Sequence, residues 1–114
     1  MTTQVEDIIP LSQNLMTVED LGGMQFVRID CPAVRERQAY ALTEPLNEVA
    51  DRCNGRMTVD LNRVAAFSCA WINVLLSVSK RCHMRGGKLI VAGLSTQGRQ
   101  MLKQMGLIKQ FNLV

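Results

Sequence analysis

This chain has a single histidine, no Cys-x-x-Cys pair and no long apolar run, and each shortage removes a class of function. A zinc centre needs clustered nitrogen and sulfur ligands. Four dispersed cysteines (Cys31, Cys53, Cys69, Cys82) and His83 do not supply them, so no metal and no cofactor is expected. A membrane span needs about 18 or more apolar residues, and no segment approaches that. Glu6 and Asp7 stand where a secretory signal would carry positive charge, and no apolar core follows them. A cytoplasmic location is expected, and with it free thiols instead of disulfides. Phosphate-binding glycine loops, a Gly-x-Ser-x-Gly elbow and a His-Glu-x-x-His helix are all missing. His83 follows Cys82 on a helical pattern, where neighbours point about 100° apart and cannot act as base and nucleophile. His83 reads as a surface residue near a helix C-terminus. No catalytic residue is assigned, and an enzyme is not expected.

What is present is enough for one packed domain. The 114 residues are 47% hydrophobic and 20% charged, which supports a core and argues against disorder. Thirteen basic residues against ten acidic ones leave a net charge of +3. Taken as spread along the chain, that excess predicts no attraction to nucleic acid or anionic lipid. The cationic run Lys80-Arg81-Cys82-His83-Met84-Arg85 reads as the solvated end of a helix, and the methionines read mostly as packing.

Two hydrophobic periods alternate along the chain. Residues 1–13 are polar and irregular and read as an N-terminal arm, with a single domain over 14–114. Leu15–Glu19 and Met24–Ile29 read as two strands around the turn residues Asp20-Leu21-Gly22-Gly23. Leu42, Leu46, Val49 and Cys53 fall on one side of a helix between about Val34 and Cys53. Pro45 inside it predicts a kink or a late start, and Asn54-Gly55 a stop. Met57–Leu61 is a short strand, and Ser68 caps a helix running to about Arg85. Trp71, Leu75, Val78 and Cys82 form its apolar stripe, and Asn73, Ser77, Lys80 and Met84 its opposite side. Lys88–Ala92 is a continuous apolar strand, Ser95 opens a third helix, and Phe111–Val114 is a last strand. The order β-β-α-β-α-β-α-β predicts an α/β fold with a largely parallel sheet and one antiparallel edge.

Three segments in order carry a resemblance. Val59-Asp60-Leu61-Asn62-Arg63-Val64 with Phe67-Ser68-Cys69-Ala70-Trp71-Ile72-Asn73-Val74-Leu75-Leu76 resembles the central strand exit, turn and helix of STAS domains, the anti-sigma-factor antagonist modules. Arg85-Gly86-Gly87-Lys88-Leu89 through Gly93-Leu94-Ser95 resembles their next strand and helix, and Gly106-Leu107-Ile108-Lys109-Gln110-Phe111 their ending. The likeness covers roughly Leu15 to Val114 and implies a mixed sheet flanked by helices.

It also implies a non-catalytic switch module whose partner is an anti-sigma factor or a Ser/Thr kinase-like protein. In phosphorylatable members a serine following an aspartate at the start of the long helix is modified by that partner, and phosphate weakens the complex. Here Ser68 stands at the aspartate position, Cys69 at the phosphoacceptor position, and Asn73 where glycine is usual. The partner-binding set implied is Ser68, Cys69, Ala70, Asn73, Ser77 and Lys80. Ser68 has two readings, a helix cap or a neighbouring phosphosite. Cys69 also has two, a buried small hydrophobe or a redox-sensing thiol activated by the helix start. An accessory subunit of a transporter or signalling complex is the alternative use of the family. The sequence ends at the last strand, where many relatives continue into another helix. An apolar face open to a partner or to a second copy, giving a homodimer, is therefore expected.

Overall fold

The computed structural model describes residues 15–114, so the arm proposed for residues 1–13 lies outside the described residues. Strands β1 (Met16–Leu21) and β2 (Met24–Ile29) form an antiparallel hairpin. Helix α1 (Glu36–Arg52) leads to β3 (Arg56–Asp60), and α2 (Cys69–Met84) to β4 (Lys88–Ala92). Helix α3 (Thr96–Gln104), a single 3-10 turn (Ile108–Gln110) and β5 (Asn112–Leu113) complete the chain. The expected order of elements and the mixed sheet are both present: the sheet runs β1-β2-β3-β4-β5, parallel except for β1.

Every crossover advances one strand in the same direction, so right-handed connections stack α1, α2 and α3 on one face of the sheet. The register lines up Val27, Val59, Val91 and Leu113 across that face, beside a row containing Met57 and Leu89. These side chains, except the half-buried Leu113, are buried together with Leu42, Leu46 and Val49 of α1 and Trp71, Leu75, Val78 and Cys82 of α2. The i, i+4, i+7 spacing read from the sequence is thus the packed face of each helix. Among the described residues, no helix is long and apolar enough to cross a membrane.

Several boundaries differ from expectation. Asp20 and Leu21 extend β1, and only Gly22-Gly23 forms the turn, both with positive φ (64° and 94°), as a two-residue hairpin requires. Helix α1 starts at Glu36, not late, and continues through Pro45. It buries Ala39 and Leu42 before the proline and Leu46, Val49 and Ala50 after it, so core burial on both sides outweighs the one lost backbone bond. The last strand is only Asn112–Leu113, because a 3-10 turn takes up the preceding residues.

The two long helices are also tied by charge. Asp51 of α1 accepts from Arg81 Nε and a terminal nitrogen of Arg81, both at 2.9 Å, and lies 3.0 Å from Arg85. The Arg81 hydrogen bonds hold the Asp51 carboxyl below its ordinary range. Hydrogen bonds from Thr17 and then Arg28 do the same for Asp30. A carboxyl depressed in the fold contributes stability in full above its unfolded value, near 3.9 for aspartate, and loses it as pH falls through the folded value. The melting temperature is expected to drop as pH is lowered below about 4. Asp51→Asn should remove part of that drop in a thermal-denaturation series; an unchanged pH slope would show that this link contributes nothing.

Candidate functional site

The carboxyl ends of the parallel strands are where an open α/β sheet presents its loops, and here two loops are joined. After β3, Asp60 accepts from the Asn62 backbone N–H (3.0 Å) and the Asn62 side-chain amide (2.6 Å), turning the chain outward. The backbone N–H groups of Ala65 and Ala66 donate to Pro32 (2.8 and 3.1 Å), and that of Val34 donates to Ala66 (3.0 Å). The segment leading into α1 and the segment leading into α2 therefore form one unit. Arg63 reaches back to Asp30 at 3.2 Å, a carboxylate that Arg28 Nε (2.8 Å) and the Thr17 hydroxyl (2.7 Å) also engage.

Ser68 closes this unit. Its hydroxyl accepts from the Trp71 N–H at 3.2 Å, satisfying an orphan amide of α2, and donates to the Val34 carbonyl at 2.9 Å. The capping role read from the sequence is the one present, and the hydroxyl is committed on both sides. Below it, Trp71 is wholly buried and fills the space between the first turn and the core.

Cys69 is the first residue of α2 and is exposed, so the reading of it as a buried small hydrophobe does not hold. The helix axis carries its side toward solvent, whereas Cys82, thirteen residues on, lies in the apolar stripe. From Cys69 the helical repeat continues through Asn73, Ser77 and Lys80, all exposed. Four of the six expected partner-binding residues thus share one outward stripe. Ser68 and Ala70 do not: both are half-buried, Ser68 facing the loop below it and Ala70 packing against the core.

The Asp30 cluster was missed in the sequence. Arg28 and Asp30 are two residues apart, but Thr17 and Arg63 come from separate segments that no local spacing links to them. His83 is exposed at the end of α2, as expected, but Met84 and Met105 are exposed exceptions to the packing role of the methionines.

Burial also sorts the thiols. All four cysteines are free. Burial pushes the Cys82 thiol up to about 11 and raises that of Cys31. With N-ethylmaleimide under native conditions, mass spectrometry is expected to find Cys69 labelled first and Cys82 last, since the thiolate is the reacting form. Equal rates at the two would contradict this placement. Replacing the cap, Ser68→Ala, is expected to cost about 1–2 kcal/mol in urea unfolding; an unchanged midpoint would mean the Val34 and Trp71 bonds carry no net stability.

Residues 27–114 match the family model described as the Mlab STAS domain. No curated protein matches the chain. Among solved structures, the chain is similar to a candidate anti-sigma factor antagonist from Thermotoga maritima (TM-score 0.76, 10% identity, covering 90% of this chain and 87% of that one). It is also similar to an anti-sigma factor antagonist from Mycobacterium paratuberculosis (TM-score 0.73, 21% identity, 86% and 82% covered). A third is the antagonist SpoIIAA in its unphosphorylated form (TM-score 0.70, 11% identity, 87% and 87% covered). At these identities the three structures establish the fold and nothing finer.

Proposed function

Because the chain belongs to the STAS domain family, we propose that it is a non-catalytic docking module of the anti-sigma-factor antagonist type, acting in partner-switching control of transcription. Its partner is an anti-sigma factor or a Ser/Thr kinase-like protein, which covers the first turn and outer stripe of α2. The observation that carries this reading is the exposed run Cys69, Asn73, Ser77 and Lys80 along a capped helix whose first turn lies at the carboxyl end of β3. A rigid helix start offers little conformational entropy to lose on docking, which favours binding.

Ser68 serves this module as a cap and not as a switch. A phosphate there would break its bond to Val34 and crowd the Trp71 amide, unfastening the junction that positions the docking face. Cys69, at the position the resemblance assigns to the phosphoacceptor, has no hydroxyl for an ordinary Ser/Thr kinase to modify. In this reading the complex is governed by the amount of each partner, with no phosphate at Cys69 to release it.

The description of the matching family model names a STAS domain and no antagonist role, and one second reading fits it as well. The same face would then seat the domain as an accessory subunit of a transporter or signalling complex. Pull-down with the full chain, using the kinase-type anti-sigma factor of the same genome as prey, tests the first reading. Asn73→Arg places a long cation in the middle of the stripe, and a central interface residue is worth about 2 kcal/mol. Recovery is expected to fall by more than tenfold. Equal recovery of the prey by both proteins would remove this face from the interaction, and no recovery by either would favour the accessory reading.

A further inference from the structure

The charge of this chain is not spread along it, contrary to the reading of its composition. All ten acidic residues lie at or before Asp60, and eight of the thirteen basic residues follow it. The strand order β1-β2-β3-β4-β5 turns that asymmetry of sequence into one of space. Strands β1 and β2 with α1 carry carboxylates on one flank; α2, β4, α3 and β5 carry none on the other. The net charge of +3 conceals this polarity.

On the acid-free flank a groove of about 480 Å³ runs beside the C-terminal half of α2 to β4 and β5, with Leu76, Lys80, His83, Met84, Lys88 and Asn112 in its lining. No acidic side chain among the described residues lines it. Met84 is 84% exposed there, unusual for a large apolar side chain. A second groove of about 380 Å³ shares Lys80 and Met84 and adds Arg81 and Arg85. Asp51 engages those two arginines, whereas no described carboxylate lies within ion-pair distance of Lys80 or Lys88.

We propose that this flank is a docking surface for an acidic, amphipathic segment of a protein partner, one bearing Asp or Glu around an apolar side chain. The lysines receive the carboxylates, and Leu76 and Met84 form the apolar floor. Two other anionic occupants fit less well. Single-stranded nucleic acid is held by stacking successive bases on several aromatic side chains, whereas no Phe, Tyr or Trp lines the groove and His83 offers a single small ring. An anionic membrane takes an apolar helix face with several inserted side chains, whereas this site is concave with one exposed large apolar residue. A second copy would bring α1, whose outer surface mixes Glu36, Glu44 and Glu48 with Arg35, Arg37 and Arg52. The proposal rests on charge and shape, and not on the antagonist reading.

The test uses the full chain and a fluorescein-labelled synthetic helical peptide of Glu and Leu in helical spacing. Binding is expected to weaken steeply as salt rises past about 0.1 M, where screening shortens to about 10 Å. The double variant Lys80→Glu, Lys88→Glu should bind at least about tenfold more weakly, since reversed charges at a steered interface repel. Arg37→Glu on the other flank should bind as the parent does. Amide NMR shifts caused by the peptide should centre on Leu76, His83, Met84 and Lys88. If circular dichroism shows the double variant misfolded, Lys80→Gln with Lys88→Gln replaces it, with a weaker loss in the same direction. Undiminished binding by a folded variant, or shifts centred elsewhere, would overturn the proposal. So would tighter binding of duplex DNA or phosphatidylglycerol vesicles than of the peptide, or low-salt dimerisation that the double variant abolishes. Lys80 belongs to both faces, but Asn73 does not line the groove, so the Asn73 pull-down and the peptide assay read the two ideas separately.

Discussion

The Ser68 hydroxyl is shared between the amide of Trp71 and the carbonyl of Val34, and the useful end of this molecule depends on that sharing. One oxygen ends the connection from β3, begins α2 and holds the entry to α1 against both. The backbone bonds from Ala65, Ala66 and Val34 reinforce it, so two irregular segments behave as one rigid corner. Loops carry function because they can vary, but they position a partner only when fixed. Here the fixing is done by hydrogen bonds that need no metal, disulfide or ligand. The buried indole of Trp71 then seats the first turn on the core, so the outward direction of Cys69, Asn73 and Ser77 follows from what lies beneath them.

Most of the fold could be read from residue order because its signals are local. Apolar spacing marked the packed faces of α1 and α2, glycines marked the hairpin turn and helix ends, and Ser68 and Ser95 marked two helix starts. Strand-helix-strand spacing then left few topologies to choose between. What was not legible required tertiary information. Nothing near Pro45 in the sequence says that burial on both sides will carry a helix through it. Nothing near Phe111 says that a 3-10 turn will shorten the final strand. The exposure of Cys69 depends on which side of α2 meets the sheet, and the one-residue difference from Ser68 separates a committed hydroxyl from a free thiol.

The charge pattern is a different kind of miss. Its evidence lay wholly in the sequence, in the lack of any acidic residue beyond Asp60. It gains physical meaning only through a strand order that keeps sequence neighbours as spatial neighbours. A fold with a strand-order reversal would have brought the two halves together and cancelled the field. Here the charges stay apart, and the pairs that do bridge the halves, Asp51 with Arg81 and Arg85 and Asp30 with Arg63, lie along the seam between them.

At the opposite rim of the sheet, a side chain on Gly87 would strike the backbone of Gly55, and one on Gly55 the Cys82 carbonyl, which already receives the Gly87 amide. Main chain there rests directly on main chain, without intervening atoms to trim or enlarge. Such a rim has no tolerance for grafted residues or lengthened connections. A side chain added at Gly55 or Gly87 must therefore move backbone, so the sheet and α2 are locked together at this border by main chain alone.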